Sequence, residues 1–167
     1  MLVLVCHPIV DLRDGRCLLP TGTWRGWNGD APNGMQTIAM VSHDRGATWP
    51  SYFSTMDGRA EGIIHLEQSL GQLKDDRLLS VCWAYHEKSG DTGPTPYVIL
   101  SKEGVREHAG LTGLNGQTTK FCVLNDGRIL SLYRRTDRIG LWANLSRIEG
   151  NEWINEHELR IWNGAGV

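Results

Sequence analysis

A short turn-forming phrase recurs three times in the chain: Leu12-Arg13-Asp14-Gly15-Arg16-Cys17-Leu18, Leu73-Lys74-Asp75-Asp76-Arg77-Leu78-Leu79 and Leu124-Asn125-Asp126-Gly127-Arg128-Ile129-Leu130. Each copy ends one apolar run and starts another, so each reads as a hairpin. Asp-Gly accepts the positive φ of a type I′ or related turn, and the next Leu or Ile begins the return strand. In the middle copy Asp76 stands where the others have Gly, which is expected to cost a little. The closing arginines lie 61 and then 51 residues apart, a spacing that suits repeated four-stranded units.

A second phrase follows in each unit. Its clean copy is Ser42-His43-Asp44-Arg45-Gly46-Ala47-Thr48-Trp49; Ser146 to Trp153 keeps Ser, Gly and Trp, and Ser101 to Val105 keeps the Ser and an acid. In the clean copy an Asp can bond backbone N–H groups across its own turn, Gly46 can take a conformation closed to other residues, and Trp49 can pack back on the hairpin. We read this loop as a structural clip.

Strand-forming runs cover 2–10, 38–41, 62–66, 78–85, 97–100, 120–124, 129–133, 141–145 and 159–162. The stretch 61–73 has apolar residues at near-helical spacing, but Gly62, Gly71 and its alignment with 116–124 favour a strand. Twenty glycines supply many tight turns. The expected fold is all-β: a partial β-propeller of about three four-stranded antiparallel blades, 1–60, 61–114 and 115–167. Polar loops at 20–36 and 87–96 would join strands at a rim, where such folds place function.

With a net charge of -2 and no dense basic stripe, nucleic acid is disfavoured as a partner. The opening apolar run is too short for a signal peptide or a membrane span, and no membrane partner is expected. Cys6, Cys17, Cys82 and Cys122 form no CxxC pair and read as small core residues of a reducing compartment, although a Cys6–Cys17 bridge between neighbouring strands is also open. The six histidines are scattered without metal-ligand spacing, and no Gly-rich phosphate loop occurs, so no cofactor or metal is expected. His65 and Glu67 share one strand face and make a low-specificity pair that could serve a sugar.

The alternation of the two phrases resembles the sialidase (neuraminidase) superfamily, six-bladed propellers with Asp-box or BNR repeats; Ser42, Asp44, Gly46 and Trp49 match the box. The segments Gly22 to Trp27, Trp83 to Glu87 and Gly116 to Thr118 are similar to a diverged bacterial branch. The resemblance implies an exo-acting glycoside hydrolase that releases a terminal, acidic sugar. In such enzymes three arginines hold the sugar carboxylate, an aspartate is the acid/base, and a tyrosine nucleophile is partnered by a glutamate. The alternative is a non-catalytic carbohydrate-binding or structural propeller piece.

On this chain the resemblance carries over to Glu67 as the catalytic glutamate, eight residues before Asp75. Arg134 and Arg135 are candidate clamp residues, whereas Trp83 stands where a further clamp arginine is expected. Arg25 between Trp24 and Trp27 could hold a carboxylate or hydroxyls while the indoles stack on a ring, and Tyr85 is a further substrate-binding candidate. Asp30 and Asp57 are candidates for the acid/base. The expected partner is a glycan or small glycoside. Three blades do not close a six-bladed ring, so the chain is expected to be a fragment, to be capped by extra strands, or to self-associate head to tail.

Overall fold

The computed structural model describes residues 2–4, 7–24, 28, 35–135 and 137–164. Among them, thirteen strands form three antiparallel sheets. The first contains β1 (Leu2–Leu4), β2 (Val10–Asp11), β3 (Cys17–Trp24), β4 (Thr37–Ser42) and β5 (Ser51–Met56). Because β1 and β2 pair with opposite ends of β3, they act as one interrupted innermost strand. The second sheet is β6 (Ile63–Gln72), β7 (Leu78–His86), β8 (Pro96–Leu100) and β9 (Arg106–Leu111). The third is β10 (Gly116–Val123), β11 (Ile129–Arg135), β12 (Leu141–Glu149) and β13 (Glu152–Trp162). Each sheet is an up-and-down meander, and the whole is three four-stranded blades of a partial propeller.

The residues 61–73 are extended as expected, save for one 3-10 turn at Arg59–Glu61. Three expectations need correction. Pro20 to Trp24, assigned to the first long loop, extends β3, and β5 and β9 were not foreseen. Strand β13 begins seven residues earlier than the apolar run at 159–162. Outermost strands are packed on one side only, so β9 alternates exposed and half-buried residues and carries no apolar run for a sequence reading to find.

Of the two turn forms expected, the Leu-x-Asp-Gly-Arg turns take a related one, not type I′, which needs positive φ at both central residues. Only the fourth residue is left-handed, at Gly15 (φ 89°), Asp76 (φ 71°) and Gly127 (φ 91°). Leu N–H donates to Arg C=O across each loop at 2.7–2.8 Å, for Leu12 and Arg16, Leu73 and Arg77, and Leu124 and Arg128. The turn carboxylate accepts the backbone N–H and Nε of its own arginine, in Asp14 and Arg16, Asp75 and Arg77, and Asp126 and Arg128. Asp76 is therefore a left-handed residue that recovers something for its strain: Oδ1 accepts from Arg13 Nε at 2.9 Å and Nη2 at 2.7 Å.

The Ser42 to Trp49 loop is a self-bonded clip. Asp44 accepts from Thr48 N–H (2.8 Å) and Oγ1 (2.6 Å), and from Ser42 Oγ (2.7 Å). Trp49 lies over Gly46, whose added Cβ would stand 3.5 Å from the indole. The 101–105 loop repeats the clip with Glu103 accepting from Ser101 Oγ at 3.0 Å. In the third sheet Ser146 instead turns inward, to Ile129 C=O.

Two cores lie between the sheets. Leu18, Ala39, Val41 and Met56 of the first sheet meet Leu70, Leu78, Cys82, Val98 and Leu100 of the second. The other side of the second sheet, with Leu79, Val81, Tyr97 and Ile99, meets Phe121, Ile129, Tyr133, Trp142 and Trp153 of the third. Each junction is also clasped at its edge. Arg16 Nη2 donates to Lys102 C=O at 2.7 Å, and Arg77 Nη2 donates to Gly150 C=O at 2.9 Å. The turn arginine of one sheet thus bonds the β-hairpin loop of the next.

Candidate functional site

All the Asp-Gly turns and Ser-initiated hairpin loops lie at one end of the sheets. The connections 57–62, 87–95 and 112–115 lie at the other, and at that loop end the innermost strands are bulged. The β6–β7 register shifts between Leu66 and Ser69, and the β10–β11 register between Gln117 and Lys120. At each bulge a residue with a side chain is left-handed, Glu67 at φ 52° and Thr118 at φ 54°. Each stands eight residues before its turn aspartate. Strain of this kind costs on the order of 1–3 kcal/mol and persists where surrounding contacts hold it.

Those contacts join the two bulges. Glu67 Oε2 accepts from Trp83 Nε1 at 2.8 Å and from Thr118 Oγ1 at 2.6 Å. Lys120 Nζ donates to the C=O groups of Glu67 (3.0 Å) and Gln68 (3.3 Å), using main-chain acceptors that the bulge releases from the ladder. Gln68 is buried, and its Nε2 donates to Ser80 Oγ at 3.1 Å. Glu67 is thus held from three directions by one oxygen and its backbone. Its Oε1 has no hydrogen-bond partner among the described residues, so the carboxylate can accept from a further donor.

Arg134 Nη2 donates to Gln117 Oε1 at 2.6 Å, and the side chain is exposed. It stands six residues past Arg128, as Trp83 stands six past Arg77; the two sheets place a guanidinium and an indole at one structural position. The exposed fork retains N–H donors suited to a carboxylate. Arg135, on the opposite side of the strand, is committed elsewhere. It pairs with Asp137 (2.6 Å) and Glu158 (2.7 Å), and stands 4.9 Å from the centre of the Trp142 ring. Arg135 holds the Asp137 carboxyl down at about 2. Tyr133 donates to Glu158 from the buried side of the same cluster, and burial, with this bond second, raises its hydroxyl pKa above the usual phenol range.

Asp57 lies in the 57–62 connection and forms a two-pronged pair with Arg59, whose hydrogen bond holds the carboxyl below its usual range. His65, largely buried nearby, is kept below the usual imidazole value by that burial. Tyr85 is half-buried beside the 87–95 connection, bridged through its backbone to Thr92. Trp24 ends β3, with its side chain outside the described residues, where Arg25, Trp27, Asp30 and Cys6 also lie. No group of three or more metal-ligating side chains occurs among the described residues, and no described helix is long and apolar enough to cross a membrane.

Sequence reading singled out Glu67, Arg134 and Trp83, quoted Gln117 and Thr118 within a segment of family resemblance without giving them a role, and missed Lys120 and Gln68. The missed signal was positional: Thr118 stands at the same distance from its turn aspartate as Glu67.

The fold so described is sialidase-like. A crystal structure of a protein of unknown function from Dyadobacter fermentans DSM 18053 superposes with a TM-score of 0.72 over 95% of this chain, at 18% identity. The Hadza microbial sialidase Hz136 superposes with a TM-score of 0.57 over 89% of this chain, at 11% identity. The chain spans 42% of the first protein and 32% of the second. No family model matches, and no curated protein matches.

Proposed function

We propose that this chain carries part of a sialidase-type glycan site at the loop end of its sheets, and that it acts on or binds a terminal acidic sugar. Glu67 is the catalytic carboxylate of this reading, Arg134 the residue that meets the sugar carboxylate, and Trp83 with Tyr85 the wall of the site. The observation that carries the proposal is the linked pair of strained bulges. Two innermost strands accept left-handed Glu67 and Thr118 and spend the released groups on orienting one carboxylate. Asp57, Arg25, Trp24, Trp27 and Asp30 remain proposals for the surrounding loops.

Turnover of aryl glycosides, a sialoside and a uronide among them, tests this. Glu67→Gln keeps the shape and the acceptor for Trp83 but removes the charge, and should lower kcat by at least about a hundredfold. Equal turnover by the variant removes Glu67 from the chemistry. The second reading is a binding module without chemistry, favoured by the occupation of the second clamp position by Trp83. It predicts glycan binding without turnover, weakened by Arg134→Ala.

A further inference from the structure

The innermost strands β6 and β10 share one frame, and they differ in what stands six residues before the turn aspartate: Ser69 in one, Lys120 in the other. Ser69 is fully buried, and its Oγ accepts from the Phe121 N–H of the third sheet at 3.3 Å. Lys120 is half-buried and crosses the same junction in the other direction. Its Nζ lies 3.0 Å from the C=O of Glu67 and 3.3 Å from that of Gln68. With the Thr118 hydroxyl on Glu67 Oε2 at 2.6 Å, residues 118, 120 and 121 of one strand engage residues 67, 68 and 69 of the other.

These bonds act at different places. Trp83 and Thr118 meet the Glu67 side chain at its tip, on Oε2. Lys120 meets the main chain beneath it. The φ of 52° at Glu67 is a main-chain state that a residue with a side chain adopts only at a cost. The register shift frees the carbonyls of Glu67 and Gln68 from the β6–β7 ladder, and each then needs another donor. An ammonium serves both from one point, because it carries three N–H donors on a flexible stem and its charge strengthens the bonds. Without it, the left-handed turn loses the contacts that hold it.

We propose that Lys120 is the positioning residue of the site: its ammonium fixes the left-handed turn at Glu67 and thereby sets where the carboxylate points. It acts through the main chain and not on the sugar. That Glu67 does chemistry rests on the proposed glycan function, whereas the hold of Lys120 on Glu67 can be measured without any substrate.

Indole N–H resonances of the intact chain, labelled with nitrogen-15 at tryptophan, give the test. The Trp83 signal, assigned by its loss in Trp83→Phe, reports the 2.8 Å bond to Glu67 through a downfield shift and slow exchange with solvent. Lys120→Met keeps the stem and removes the ammonium. It should move the Trp83 signal upfield and speed its exchange by at least about tenfold, with the other indole signals in place. Lys120→Arg, which can still donate to the carbonyls, should restore the signal. Should Lys120→Met not fold, Lys120→Gln, neutral but still a donor, should move the signal part of the way. Turnover should follow the signal: kcat of Lys120→Met falls at least about tenfold with KM within about twofold, and Lys120→Arg recovers it. A Trp83 signal that stays in place in Lys120→Met, or in Lys120→Gln where that variant is the one that folds, overturns the proposal. A protein that turns over no sialoside or uronide while the Trp83 signal moves as expected overturns the glycan function and supports the role of Lys120.

Discussion

Strands β7 and β11 begin almost alike, Leu78-Leu79-Ser80-Val81-Cys82 against Ile129-Leu130-Ser131-Leu132-Tyr133, yet the first is buried on both sides and the second on one. Apolar residues facing both ways are what a strand needs when sheets cover it above and below. β11 carries that pattern in full while its outer side is open. The difference teaches that burial here is set by how many sheets are stacked, and that an apolar run by itself does not fix it.

The largest expected effect breaks the comparison at its centre. Leu79→Ala removes a side chain enclosed by two sheets and should cost about 2–5 kcal/mol, whereas Leu130→Ala should cost under about 1 kcal/mol. Urea unfolding of both gives the contrast, and equal losses would show β11 to be as enclosed as β7. Next, Gly71→Ala brings a Cβ to 2.9 Å from the Phe121 ring and should cost about 1–3 kcal/mol by overpacking. Its counterpart Cys122→Ala, on the open side, should be within about 0.5 kcal/mol of wild type.

The clip loops sharpen the comparison through pH. Hydrogen bonds from Thr48 and then Ser42 lower the Asp44 carboxyl from 3.8 to about 2. A depressed folded-state pKa contributes stability that is present in full above the unfolded value and is lost as pH falls through the folded one. The stability gap between wild type and Asp44→Asn should therefore hold steady above about pH 5 and close between 4 and 2. A gap that persists at pH 2 would place the effect in packing. The smallest effect is at Asp76→Gly. Relief of the left-handed strain and loss of the exposed pair with Arg13 oppose each other, and the net change should lie within about 0.5 kcal/mol in thermal unfolding.

Much of the fold was legible because it is written locally. An Asp-Gly pair closes a turn with atoms from five consecutive residues, and Ser42, Asp44 and Thr48 satisfy one another within one loop. The inner strands were legible for a related reason: β7 is enclosed on both sides and reads as a continuous apolar run. The outermost strands were not, since β9 owes its place to β8 and to solvent. Among the site candidates, Glu67 could be picked out by its distance to the turn. That Arg135 would be spent on Asp137 and Glu158 could not be read from its place beside Arg134, because Glu158 arrives from two strands away.

By itself, then, the sequence determined the threefold repeat, its turns and its all-β character, through interactions that span a handful of residues. Tertiary structure alone decided that Thr118 meets Glu67 across 51 residues, that Trp83 and Arg134 share one position, and that Leu132 and Ile9 are left facing outward. Those outcomes depend on which sheet lies against which, and no short stretch of chain carries that information.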